Sequence, residues 1–387
     1  MQIAFTLVTV LLLAVVAQAV FAAGLLATAG PRHQPASRFL ALLMLSIALW
    51  LLDGFLRVSG LYRQRPELYF LPIYYSLAFG PLLYFYVRSL VGQGFRWRWH
   101  RFGGHFVPVL AQAALYGWLC LSPYATRNWF WQHVHRPYTY RLEFIGTWVS
   151  LMLYLALSLR RLRQYRRWLA DNYSETSRLR LRWLRWLLVL LAVVSGQWLV
   201  EVVVREFFGQ YYRYDYSTEL LGVVVFVVGV AGLRQLDQPP TQVVEEELEA
   251  AAGPAAALAV SGSEGPTAPA SAGTARPVDA AVAELIRQAL EDERLYLNPT
   301  LTLAELAAHT GLAPKLISYT VNAGGTSFND LVNGLRVAEV QRRLAAPDAR
   351  RLTLLGIALE CGFNSKTTFN RIFKQFAGVA PRDFATE

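Results

Sequence analysis

The sequence predicts an all-α protein in two parts: a polytopic helical membrane domain of about seven spans, followed by a helical domain with two helix-turn-helix motifs. Three observations predict it. The first 236 residues carry long apolar stretches. Residues 357–376, IALECGFNSKTTFNRIFKQF, pattern as two short helices meeting at a tight turn, and the same pattern occurs once before, 51 residues earlier.

Hydrophobic residues make up 54% of the 387-residue chain and mean hydropathy is +0.29, which sets it apart from ordinary soluble proteins. Seven stretches have the roughly 20 apolar residues that cross a bilayer. They lie at 3–29, 38–58, 68–90, 104–122, 142–159, 186–208 and 217–235. The first has no basic residues before it and outruns a signal-peptide core, so a retained span is expected.

Charge orients these spans. The loops after the first, third and fifth stretches hold fifteen arginines, nine of them between Arg160 and Arg185, against eight after the second, fourth and sixth. The positive-inside rule therefore places the N-terminus outside and the C-terminus in the cytoplasm. The net charge of +10 comes from these loops, because residues 278–387 balance 12 Lys+Arg against 12 Asp+Glu. A high pI here reports topology and not an affinity for nucleic acid. Cys120 and Cys361 fall in different parts of the chain, so neither a disulfide framework nor a metal site is expected, and no cofactor is implied.

Residues 237–277 change character. Pro239-Pro240, the acidic run Glu245–Glu247 and an Ala/Gly/Pro/Ser/Thr tract bury too little apolar surface to fold, and a flexible linker spanning roughly 35 Å is expected. Helical periodicity returns in 278–387, where Val278, Val282, Leu285, Ile286 and Leu290 share one face. Thr302 and Glu305 form a capping box, and Pro314 suits the first position of a helix. A longer helix over about 327–345 joins the two motifs. In the first, Leu306-Ala307-x-x-Thr310-Gly311-Leu312 aligns with Ile357-Ala358-x-x-Cys361-Gly362-Phe363 in the second. The small alanine allows close helix crossing, and the glycine allows positive φ at the turn.

The second helix of each motif carries the candidate DNA-binding residues. They are Lys315, Ser318 and Tyr319 in the first, and Ser365, Lys366, Thr367, Thr368, Asn370 and Arg371 in the second. Lys and Arg donate to guanine or phosphate, while Ser, Thr and Asn bond to bases or backbone. Phe363, Phe369, Phe373 and Phe376 are assigned to the core. With one basic residue, the first recognition helix is expected to be the weaker reader. Arg342, Arg343, Arg350 and Arg351 fit phosphate contacts and solvated surface equally.

From about Leu297 to Phe384 the chain resembles the AraC/XylS family of transcription regulators. The resemblance rests on the paired motifs, Asn333-x-x-Arg336-Val337 in the connecting helix, Phe369-Asn370-Arg371-x-Phe373-Lys374, and Gly378-x-x-Pro381. It implies that both recognition helices enter successive major grooves of double-stranded DNA. The membrane part is similar to membrane-anchored members, in which spans replace a soluble sugar-binding domain. A bacterial inner-membrane location follows, with the lipid bilayer, a second copy of the chain and RNA polymerase as further partners. Sugar sensing is not implied.

Asp53, Glu201 and Arg205 are the charged residues of interest among the spans, because ions at that depth are costly. A signal site and simple pairing, such as Glu201 with Arg205 one turn on, are both open. So are two explanations of the aromatic loops around Trp129, Trp131, His135, Tyr138 and Tyr140: an interfacial belt and a ligand surface. No nucleophile–base pair, metal ligand set or phosphate loop points to catalysis. A transporter with a self-regulating DNA-binding tail and a merely passive anchor are the alternatives to a membrane sensor.

Overall fold

The computed structural model describes residues 6–28, 35–91, 95, 98–176, 181–208, 280–345 and 353–384. Every regular element among them is helical, and the β-type pairing they show is an isolated antiparallel bridge between Tyr173 and Thr302. The chain divides into two compact units. One comprises Met1–Arg163 with Arg182–Val243, the other Gln164–Leu181 with Val244–Glu387.

In the first unit the main helices are α1 (Leu7–Ala27), α2 (Ala36–Val58), α3 (Phe79–Val91), α4 (Val107–Leu121), α5 (Tyr140–Asn172, which continues into the second unit) and α6 (Arg182–Phe208). Among the described residues, five helical segments, containing α1, α2, α4, α5 and α6, are long and apolar enough to cross a membrane. Much of their apolar surface faces outward, as at Leu11, Leu121, Trp186 and Phe207. That surface is compatible with a membrane domain.

The expected third span over 68–90 is a correction. Pro66–Leu68 forms a 3-10 turn, Phe70 takes φ 65°, and an apolar helix begins only at Ser76, which leaves Ser76–Val91 as a short buried element. Pro66 and Pro72 interrupt the backbone where the side chains are still apolar. The seventh stretch, 217–235, and the linker lie outside the described residues. Close crossing holds this unit together: a Cβ on Gly80 of α3 would stand 2.6 Å from the Tyr154 ring of α5. Ser76 and Thr147 share a buried hydroxyl–hydroxyl bond of 2.6 Å, and the Trp148 indole donates to the Ser195 carbonyl at 2.8 Å.

The second unit follows the sequence closely. Its helices are α7 (Ala280–Arg287), α8 (Leu303–Thr310), α9 (Pro314–Ala323), α10 (Phe328–Leu344), α11 (Leu354–Glu360) and α12 (Lys366–Ala377). The capping box forms with both bonds, Glu305 N–H to Thr302 Oγ1 at 3.1 Å and Thr302 N–H to a Glu305 carboxylate oxygen at 2.8 Å. Pro314 opens α9, and Ser327, Thr353 and Ser365 cap α10, α11 and α12.

Among the described residues this unit has two apolar cores, one per motif. The first gathers Val282, Ile286, Leu306, Ile317, Phe328 and Val332; the second gathers Val337, Val340, Ile357, Ala358, Phe363, Phe369 and Phe373. The connecting helix α10 contributes to both, so one stiff element carries the two motifs. Two expectations are corrected here. Leu285 is exposed on α7, and Phe376 is 42% exposed, resting against Gly334 of α10 instead of entering the core. Val278 lies outside the described residues.

Candidate nucleic-acid interface

The second recognition helix, α12, starts at Ser365, whose hydroxyl accepts the Thr368 N–H at 3.3 Å and satisfies one of the open donors of the first turn. Phe369, Ile372 and Phe373 face the core, with the Phe363–Phe369 and Phe369–Phe373 rings edge to face at 5.3 and 5.6 Å. Period 3.6 then turns Lys366, Thr367 and Asn370 fully outward and Arg371 partly so. Among the described residues, no acidic side chain pairs with Lys366 or Arg371. Two cations and two hydrogen-bonding side chains on one exposed face of a capped helix are what groove reading requires.

Thr368 differs from its neighbours. It is buried, and its hydroxyl bonds to Ser365 at 3.1 Å, so its job in this structure is to complete the cap. On α9, Lys315 is exposed, Tyr319 is 43% exposed, and Ser318 is half-buried with its hydroxyl accepting from the Asn322 amide at 3.3 Å. Among the candidate residues, the first motif thus offers one cation to the second motif's two.

Arg342 and Arg343 are committed elsewhere. Arg342 donates to Glu339 at 2.6 Å, and Arg343 bonds both Glu339 and Glu360. The Arg342 bond comes first in holding the buried Glu339 carboxyl down to about 2, and the Arg343 bond adds to it. Arg350 and Arg351 lie outside the described residues. Burial raises the Cys361 thiol to about 11, which makes it an inert packing group; it and Cys120 are both free.

Arg336 stood in the sequence only as part of the connecting-helix motif, with no role given to it. It is 1% exposed and donates to the Tyr296 carbonyl at 2.8 Å and the Asn298 carbonyl at 2.6 Å, tying α10 to the turn before the first motif. Burial lowers its guanidinium to about 10, with Glu175 opposing the shift, so it stays charged at neutral pH. Gly362, in the turn of the second motif, packs closely against the same Tyr296 carbonyl. Its φ is +88°, and a Cβ there would sit 2.7 Å from the Tyr296 carbonyl and 2.9 Å from Arg336 Nε.

Residues 306–387 match the family model of a helix-turn-helix domain. The C-terminal part is similar to a helix-turn-helix domain. The match covers the two recognition helices, supports an AraC-type regulator, and points to transcription regulation through double-stranded DNA rather than to an enzyme. Comparison with curated proteins and with solved structures found no match for the chain.

A second feature lies in the first unit. A cavity of about 540 Å³ is bordered by Asp53, Arg57, Tyr62, Tyr116, Trp131, His135, Tyr140, Glu143 and Arg205, among others. Two of the three residues singled out in the sequence, Asp53 and Arg205, therefore share one space. Both also have local partners. Asp53 accepts from Arg57 at 2.6 Å and from the Tyr62 hydroxyl at 2.5 Å. Arg205 stands 3.7 Å from Glu201 and donates to the Tyr140 hydroxyl at 2.6 Å. Glu201 does not line the cavity; it serves to pair Arg205. Glu143, which sequence reasoning passed over because it sits at the edge of an apolar stretch, accepts from the Tyr116 hydroxyl at 2.9 Å. The aromatic segment, expected as a loop, is helical, Tyr124–Phe130 running into a π-helix over Trp131–Thr139, and it divides: Trp129 and Tyr138 are exposed, whereas Trp131, His135 and Tyr140 line the cavity. Among the described residues no cluster of three His, Cys, Asp or Glu could hold a metal ion.

Proposed function

We propose that this chain is a membrane-tethered, one-component transcription regulator. Its C-terminal domain reads promoter DNA in the major groove through Lys366, Thr367, Asn370 and Arg371, with Lys315, Ser318 and Tyr319 as the weaker second set. The observation that carries the reading is the exposed, uncommitted polar face of α12, set on the same stiff helix as a second motif of the same design. Five apolar helical segments in the same polypeptide support anchoring in a bacterial inner membrane, with the tail in the cytoplasm and the bilayer as a partner. A second copy of the chain and RNA polymerase complete the assembly at a promoter.

Sensing is assigned to the cavity around Asp53, Glu143 and Arg205. A mixed aromatic and ionic lining of this volume suits a small polar ligand, whereas a passive anchor needs no such space. Two measurements test the reading. Replacing Lys366 and Arg371 with Ala in the purified full-length protein should weaken operator binding and blur its sequence preference; unchanged affinity and preference would remove the assignment. Asp53→Asn with Glu143→Gln should abolish the response of a promoter reporter to the natural signal while operator affinity stays the same. A retained response would favour the passive anchor.

A further inference from the structure

The DNA-binding unit contains a piece of chain from far away in sequence. Residues Gln164–Leu181, between the fifth and sixth apolar stretches, belong to it. At 33 residues α5 runs to roughly 50 Å, longer than the roughly 30 Å of a hydrocarbon core, and its last turns are polar and rich in arginine. Immediately after it, Tyr173–Thr176 leaves the helix, bends at Ser174 and is seated in the unit. Tyr173 bridges to Thr302, the cap of the first motif. The Ser174 N–H donates to the Leu301 carbonyl at 3.1 Å and its hydroxyl to the same oxygen at 2.6 Å.

From α10, the Asn329 amide donates to the carbonyls of Tyr173 and Ser174 at 3.0 and 2.6 Å, the Asn333 amide to the Ser174 carbonyl at 3.1 Å, and Arg336 Nη2 to the Ser174 hydroxyl at 3.2 Å. Ser174, Leu301, Asn329, Asn333 and Arg336 are each at most 5% exposed. A buried contact made of so many matched donors and acceptors is specific, because each group left unmatched on removal carries a desolvation cost.

We propose that Tyr173–Thr176 is an intrachain docking segment for the DNA-binding domain, and that its seating holds the entry to the first motif and the connecting helix in the DNA-competent arrangement. Asn329, Asn333 and Arg336 form the receiving surface, and its partner is this one segment of the same chain. The domain is then held at two points, by the linker before it and by this segment, so withdrawal of the segment lowers DNA affinity. The docking stands on its own geometry; only its effect on DNA rests on the proposed regulator function.

The test uses the full-length protein in lipid nanodiscs, with hydrogen exchange and operator binding read on the same samples. In the wild type the Ser174 amide should be protected. Ser174→Pro removes the N–H and hydroxyl donors, and Asn329→Asp sets a carboxylate against two carbonyls. Both should speed exchange across 299–304 and 329–336, leave 366–376 as it was, and weaken operator binding on the order of tenfold. Ser174→Ala, which keeps the N–H, should give a smaller loss and supplies the affinity readout if the harsher variants also loosen 366–376. A wild-type Ser174 amide that exchanges like unstructured peptide overturns the docking. Released segments with unchanged operator affinity overturn its role in DNA binding and leave the proposed reading of α12 intact.

Discussion

The two helix-turn-helix motifs share a pattern but not a physical situation. Their turn glycines show this most clearly. Gly311 has φ +70° and open space where a Cβ would go, whereas Gly362 has φ +88° and a Cβ there would meet two backbone carbonyls and Arg336. The first turn needs glycine for its backbone angle alone; the second also needs the absence of a side chain. Their reading faces diverge as well, with one cation among the candidate residues of α9 against two among those of α12. Repetition of a motif therefore does not imply equal duty: the second motif carries the packing constraint and the stronger face, and the first receives the docking segment.

The largest test of this contrast is stability. Gly362→Ala should cost roughly 3–5 kcal/mol, since positive φ and a clash with backbone add, and the second unit should lose its cooperative melting transition. Gly311→Ala should cost only about 1 kcal/mol. Similar costs for both, measured by thermal or denaturant unfolding of the full-length protein, would break the comparison. The next effect is on DNA. Arg371→Ala or Lys366→Ala should each lose roughly 1–3 kcal/mol of operator binding, and Lys315→Ala well under half of that, as read by titration at fixed salt.

A smaller effect separates phosphate contact from structure. Glu339 is held down to about 2, below its unfolded value of about 4.3, so its stabilising contribution is complete above the unfolded value and fades as pH falls through the folded one. Glu339→Gln should remove about 1 kcal/mol at pH 7 and flatten the pH dependence between about 4.5 and 2. An unaltered acid profile would contradict the pairing with Arg342 and Arg343.

How much of this was legible depends on how local each signal is. Thr302 with Glu305, Pro314, Gly311 and Gly362 act within a few residues, and the helices they bound appear where the sequence puts them. Hydropathy is also local but blind to backbone, which is why 68–90 read as a span although Pro66, Pro72 and the turn at Phe70 prevent one. Leu285 and Phe376 have the right spacing for a core yet stay 44% and 42% exposed, because spacing within one helix does not say which neighbours will cover it. The docking of Ser174 onto Asn329 joins residues 155 apart and leaves no periodic trace. The cavity was half legible: Asp53 and Arg205 stood out as charges in apolar stretches, while Glu143 and Tyr116 meet only through tertiary packing.

The most direct test of sequence-specific reading by α12 is a competition measurement. Full-length protein in nanodiscs is titrated with its footprinted promoter fragment and with random duplex of equal length at the same salt. The account predicts a preference on the order of a thousandfold for the promoter, collapsing toward one when Lys366 and Arg371 are both Ala. Equal affinity of the wild type for both duplexes, or a preference that survives the double substitution, would contradict it.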